Sequence, residues 1–362
     1  MARFPFRMLL LAAVPLLAGC QSGASQPNLN LLMSPVDAQR LGFGHRWSTD
    51  LNAQRGASVS QAVILSDMIV VIETPSNLVT ALSLADASVL WIRRVASPVD
   101  ALFEPVRSGD RILICSQTQL IVLASSNGVL LDVHKLPTAV SHAPVLIGDL
   151  AIFGGMNGRV FAYDVSTRYV RWAHQLSAPI VARPVLTPEH VFAADTRGDY
   201  VLLAAASGRE LGRGRAFARV RAAPAATPQG IFLPSEDRTL YALNRLTLQD
   251  RWKYRAPQPL SVTPVILQDV VYLPVPGHGL VAIDSVGGTE LWKASGRDAR
   301  PIARSQQTLL MHDGTQLIVV NSESGKTIRH VPTRPLHTVL RTATGSLILV
   351  SPNAWLMRLD RL

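Results

Sequence analysis

Five arginines crowd thirteen residues: Arg209, Arg213, Arg215, Arg219 and Arg221. A guanidinium carries a fixed charge and a planar fork of donors, so such a run suits carboxylate or phosphate oxygens. Alternation at Arg213/Arg215 and Arg219/Arg221 aims each pair to one side of an extended chain. Two readings are open. One is an anion-binding surface for acidic protein, lipid headgroups or cell-wall polymer; the other is a charged outer strand that blocks edge-to-edge pairing. Other chemistry is sparse. The nine histidines show no metal-ligand spacing, and His134, His142 and His174 stand isolated near expected strand ends. Asp195, Asp199, Glu236 and Asp237 fall in expected hairpin turns, where solvent exposure is the default, and do not form the oxygen cluster a hard cation requires. No Gly-x-Ser-x-Gly elbow, phosphate loop or His-Glu-x-x-His occurs. No catalytic residue, metal ligand or cofactor is assigned.

The N-terminus carries a second kind of chemistry. Arg3 and Arg7 precede an apolar run over 8–17, and Leu17-Ala18-Gly19-Cys20 closes it with small residues and a thiol. Ten apolar residues interrupted by Pro15 are too short to span a bilayer. Leu-Ala-Gly-Cys resembles the lipobox of bacterial lipoproteins, which implies that residues 1–19 are a signal peptide and that Cys20 becomes the lipidated, palmitate-bearing first residue. By the same resemblance, Gln21 after the cysteine directs the chain to the periplasmic face of the outer membrane. Residues 20–42, with Pro27 and Pro35, read as a lipidated tether. The remaining cysteine, Cys115, has no partner for a disulfide and reads as a small buried hydrophobe in an apolar strand. Removing Arg3 and Arg7 takes the formal charge from +10 to +8, still strongly basic; an exported lipoprotein does not meet nucleic acid, so no nucleic-acid partner is expected.

The elements that must position these groups repeat about every forty residues. Val160-Phe161-Ala162-Tyr163-Asp164 with Trp172, Leu240-Tyr241-Ala242-Leu243-Asn244 with Trp252, and Leu280-Val281-Ala282-Ile283-Asp284 with Trp292 are the clearest copies. In each, the tryptophan follows the Asp or Asn by eight residues. A second column, Pro105, Pro144, Pro184, Pro224, Pro264 and Pro301, keeps the same period. The tryptophan column reads Trp91, Asp132, Trp172, Gly212, Trp252, Trp292 and Arg329, so the aromatic is lost in three units. One tryptophan slot per unit argues for packing between units rather than for a cofactor platform, since a cofactor needs one site and a ring needs many equivalent contacts.

Each unit reads as four strands. In the sixth these run over 262–266, 270–274, 280–284 and 290–293, joined by turns containing Gln268-Asp269, Gly277-His278-Gly279 and Gly287-Gly288. Nothing after the first twenty residues carries a helical period. Seven units are complete, and the stretch 336–360 supplies three more strands but no fourth. The missing strand is His45-Arg46-Trp47-Ser48-Thr49-Asp50. The expectation is an all-β, eight-bladed β-propeller over 43–362, its last blade closed by the N-terminal strand, which leaves no long sheet edge free.

The repeat core, apolar-aromatic-Ala-apolar-Asp/Asn followed by Gly and Trp, resembles that of pyrroloquinoline-quinone-type propellers. With a lipobox and no appended domain, the chain is similar to the BamB family of outer-membrane lipoproteins, most of all from Ser141-His142-Ala143-Pro144 through Gly154-Gly155-Met156-Asn157-Gly158 to Trp172. The resemblance implies a non-enzymatic scaffold, a monomer within a complex, that docks on the BamA barrel protein and assists the assembly of β-barrel proteins. It also implies contact through inter-blade loops, with leucine and arginine before the third blade and acids before the fourth. Here the first loop keeps Leu136 without an arginine, and the second, Leu176-Ser177-Ala178-Pro179-Ile180-Val181, carries no acid. The alternatives are an envelope-binding propeller unrelated to barrel assembly and a quinone-dependent oxidoreductase. Relatives of the latter kind resemble longer chains with a paired-cysteine clamp and calcium ligands at the axis, and neither adjacent cysteines nor Cys-x-x-Cys-His is present.

Overall fold

The uninterrupted apolar runs become strands covered on both faces. Met68–Thr74, Arg111–Cys115 and Val270–Val275 are second strands of their blades, and nearly every residue in them is buried. Fourth strands such as Tyr169–Gln175 and Asp250–Arg255 alternate toward solvent. The computed structural model describes residues 31–51, 56–294 and 299–362. Within them lie eight antiparallel four-stranded sheets, and the innermost strands of neighbouring blades pack side by side around the ring. Blades 1 to 7 occupy 58–94, 106–135, 145–175, 185–215, 225–255, 265–294 and 300–332. In blade 6 the strands begin and end within a few residues of the expected bounds, the first shortened to Val265–Leu267 because Pro264 precedes rather than enters it.

Blade 8 takes three strands from 338–361 and its outermost from Phe43–Asp50. That strand pairs in register from Phe43 with Arg361 to Asp50 with Trp355. The first and last ordered strands are therefore hydrogen-bonded neighbours, and the eight-bladed ring closes as expected. Alternation of strand direction gives the disc two distinct faces. One carries the connections between blades together with the hairpins joining second and third strands; the opposite face carries the other two hairpins of each blade.

Two features of the segment before blade 8's outer strand differ from expectation. A six-residue helix, Pro35–Arg40, forms where no helical period is legible: Ser34 caps it, Pro35 sits in its first turn, and Asp37 and Arg40 pair at 3.1 Å. It is too short for amphipathic periodicity to show. Leu32, Met33 and Ala38 are buried, and the Arg334 amide donates to the Leu32 carbonyl at 2.8 Å, so the packed body begins near residue 32 rather than 43. The signal segment 1–19, Cys20 and the tether to residue 30 lie outside the described residues. Among the described residues, no helix is long and apolar enough to cross a membrane.

The repeat motif has a direct physical reading. The Asp or Asn column opens the hairpin between third and fourth strands: Asp164 Oδ1 accepts from the Ser166 and Thr167 amides, and Asn244 and Asn321 repeat that pattern. A β-bulge follows in every one of blades 1 to 7, and the residue just before it faces the tryptophan slot. Alanine faces tryptophan in four blades (Ala81/Trp91, Ala162/Trp172, Ala242/Trp252, Ala282/Trp292), whereas Val122, Leu202 and Val319 face Asp132, Gly212 and Arg329.

Candidate interaction site

Five of the six indoles are contacts between one blade and the next. Trp91 Nε1 donates to the Ser125 carbonyl at 2.9 Å, Trp172 to Ala205 at 3.0 Å, Trp252 to Ser285 at 3.2 Å and Trp292 to Ser322 at 2.9 Å. Trp47 does the same to Leu84 at 3.3 Å across the closed seam. The ring face lies against a turn glycine of the next blade. A Cβ on Gly208 (φ +68°) would sit 2.5 Å from Trp172, and Gly128, Gly288 and Gly325 meet their tryptophans in the same way. The tryptophans thus pack blades together, as their recurrence implies.

Where the indole is missing, other residues meet across the seam at two places. At the blade 4–5 seam the turn residue is Leu248 instead of glycine, and it projects toward Gly212. At the blade 2–3 seam, Asp132 pairs with Arg168 of the next blade and with His134 Nε2 at 2.9 Å. Burial opposes ionisation of the Asp132 carboxyl, but bonds from His134 and the Val133 amide, with Arg168 beside it, hold it below the usual carboxylate range. His134 is therefore buried in an ion-pair group rather than isolated.

The five arginines are not one patch. Arg213 and Arg215 lie on the outermost strand of blade 4, Glu210–Arg215, and both are tied internally. Arg213 makes two bonds of 2.6 Å to Glu210, and Arg215 Nε lies 3.4 Å from Asp199. Arg209 lies in the turn that leads into that strand, on one face of the disc. Arg219 and Arg221 belong to the blade 4–5 connection on the other face, a loop rather than the strand their alternation implied. There Arg221 pairs with Glu236 at 3.1 Å, while the Arg219 side chain has no acidic partner among the described residues. Leu136 is 4% exposed, packed with Leu113, Cys115 and Val140 between blades 2 and 3, so it supports its loop from below and offers no surface of its own.

A residue that sequence reading passed over stands beside Arg219. Phe217 is 88% exposed on the blade 4–5 connection, in the slot that holds Pro137, Ser177 and Pro257 in three other connections. Its amide is pinned, donating to Asp237 Oδ2 at 3.1 Å and to the Tyr241 hydroxyl at 3.3 Å. Tyr241 in turn donates to Asp237 at 2.5 Å; burial and that bond push the phenol up to about 12, so it remains a donor at neutral pH. An aromatic alone in its column was the available signal. The turn acids also differ from expectation: Asp195 is fully buried, its carboxylate accepting from the Ala178, Arg197 and Asp199 amides and from Ser177. Buried acids of this kind fix the face loops rather than gather a cation, and among the described residues no three metal-ligating side chains converge.

Near the axis, Arg183 of the blade 3–4 connection reaches Glu104 at 3.3 Å and donates to the Pro144 carbonyl at 2.8 Å. Burial, with Arg183 close by, pulls His142 down to about 4. Cys115 is fully buried, and desolvation drives its thiol far above the ordinary value, an inert setting.

The sequence profile of the family described as outer membrane protein assembly factor BamB matches residues 44–174 and 157–361. The chain belongs to the BamB family. The two matched spans cover the propeller from the closing strand to the last strand, which leaves no blade outside the BamB repeat. Among solved structures, BamB from Moraxella catarrhalis is 16% identical with a TM-score of 0.71, covering 88% of this chain and 99% of that one. The computationally designed protein Ika8 (11% identical, TM-score 0.70, 86% and 98% covered) and the C-terminal WD40 domain of Sif2 (10%, 0.68, 88% and 98%) share the fold alone. No curated protein sequence matches. That a designed propeller and a WD40 domain score nearly as well as a BamB shows how little the ring by itself says about partners.

Proposed function

We propose that this chain is a non-enzymatic scaffold of outer-membrane protein assembly, anchored through lipidated Cys20 to the periplasmic face of the outer membrane and docked on BamA. The observation that carries this reading is the family profile spanning all eight blades, joined to a lipobox at residues 17–20. From Cys20 to Leu32 the tether has twelve residues, a reach of roughly 40 Å when extended, enough to present the disc to a membrane-embedded partner.

We assign the docking surface to the face that carries the blade connections, centred on Phe217 with Arg219 and Arg221. An exposed aromatic with a fixed backbone, flanked by guanidinium groups, is the residue combination that dominates protein interfaces. Arg213 and Arg215, tied to Glu210 and Asp199 on a sheet edge, serve as edge protection instead.

Affinity capture of the tagged protein from detergent-solubilised envelopes tests the reading. Recovery of BamA with wild type, and its loss with Phe217→Ala/Arg219→Glu at unchanged thermal stability, is the expected result. Capture of other envelope proteins without BamA would overturn barrel assembly in favour of an unrelated envelope-binding role.

A further inference from the structure

Of the three seams that lack tryptophan, two keep a cavity, and they differ in charge: the one of about 280 Å³ at the blade 2–3 seam is lined by the mutually paired Asp132, His134 and Arg168. At the blade 7–8 seam the slot residue is Arg329, and a cavity of about 260 Å³ opens there, bounded by the chain entering blade 8. Arg304, Arg329 and Arg361 line it, with Phe43, Leu310 and Ile328 forming an apolar wall. Among the described residues, no carboxylate lies within salt-bridge distance of these three guanidinium groups. The fourth arginine of the lining, Arg40, is already held by Asp37. Arg329 spends one nitrogen on the Arg40 carbonyl at 2.8 Å, and Arg304 Nε is buried with no protein partner. A buried donor left unsatisfied costs stability, and three converging cations without an anion repel one another. At the other two seams without tryptophan the charge is neutralised (Asp132 with Arg168) or absent (Gly212 with Leu248).

We propose that the blade 7–8 seam is a binding site for a phosphate-bearing ligand, its phosphate held by Arg304, Arg329 and Arg361 and its organic part lying on Phe43, Leu310 and Ile328. Guanidinium forks match phosphate oxygens. The apolar wall selects a phosphate ester over the bare ion. The volume admits a headgroup-sized molecule. The ester can come from an anionic phospholipid headgroup or from a soluble phosphate metabolite. Because the helix Pro35–Arg40 leads into the cavity wall at Leu41 and Gly42, an occupant would also brace the seam where the ring closes. This inference is independent of the barrel-assembly reading.

The test uses the mature chain with Cys20→Ser, so that its own lipid plays no part. Glycerol 3-phosphate is titrated by calorimetry, and vesicles of phosphatidylcholine with or without phosphatidylglycerol are tested by co-sedimentation. Wild type should bind glycerol 3-phosphate and sediment only with phosphatidylglycerol. Arg329→Trp, which restores the repeat residue and fills the slot, and Arg361→Gln, an exposed side chain whose replacement keeps the backbone pairing with Phe43, should each weaken binding by about tenfold or more. Binding of glycerol 3-phosphate without vesicle binding upholds the pocket and assigns it to soluble phosphate esters. Failure of wild type to bind either probe, or unchanged binding in both folded variants, overturns the site.

Discussion

Leu248 of blade 5 stands where blade 4 has lost its indole. A Cβ placed on Gly212 would lie 3.5 Å from Leu248 Cδ1, and Leu248 holds the positive φ (+58°) that glycine holds at the tryptophan seams. Leu202, opposite Gly212, is larger than the alanine that faces every tryptophan of blades 1 to 7. Three positions on two blades together fill the volume of one seam, as close packing requires.

This interdependence predicts a coupled cycle. Gly212→Trp alone should overpack the seam and destabilise by about 1–3 kcal/mol. Adding Leu248→Gly and Leu202→Ala should recover most of the loss. Urea unfolding of the single and triple variants measures the coupling; additive effects would contradict a shared space.

An intact seam should be costlier to open. Trp172→Ala removes a buried indole and should cost about 3–5 kcal/mol. Trp172→Phe keeps most of the packing but orphans the Ala205 carbonyl, with an expected loss smaller by half or more. Equal losses in the two variants would remove the hydrogen bond from the account.

The periodic elements were legible because their chemistry repeats: eight blades, the closing strand and the packing role of tryptophan all follow from the columns of Asp/Asn, Pro and Trp. The candidate surface was less legible. Arg209 to Arg221 look contiguous in sequence, yet a strand and a connection divide them between two faces and the rim. Leu136 belongs to a connecting loop in sequence, but its side chain points into the inter-blade core. Phe217 escaped notice because an isolated apolar residue in a small-residue loop has no periodicity. The helix Pro35–Arg40 is too short to show a helical period; its local signals are the Ser34 cap and Pro35, and burial of Leu32, Met33 and Ala38 holds it to the body.

Acid should loosen the ring before its carboxylates titrate. Burial lowers His142 and His312 from 6.5 in a free chain to about 4 in the fold. Between those values the unfolded chain binds more protons, so stability should fall as pH drops from about 6.5 toward 4 and the effect of these two rings should level off below that. Melting temperature followed across this range in wild type and in the double variant His142→Gln/His312→Gln should show a flatter profile for the variant. Identical slopes would rule these rings out.

The buried Cys115 thiol predicts chemical silence. Native protein bearing a blocked or replaced Cys20 should not react with a thiol reagent until unfolded, because the fully buried sulfur is both inaccessible and held protonated. Rapid labelling of the native state would mean that the blade 2–3 core opens far more readily than its packing implies.

Closure of the circle by Phe43–Asp50 is tested most directly by deleting 42–50 and measuring mass in solution together with the melting temperature. Without that strand, Trp355–Arg361 presents an unpaired edge, the indole of Trp47 is lost from the blade 8–1 seam, and blade 1 loses its neighbour's outer wall. The truncated protein should oligomerise or melt at least 10 °C lower, on the order of a few kcal/mol for a domain of this size. A monomer with the melting temperature of the intact chain would contradict the closed ring.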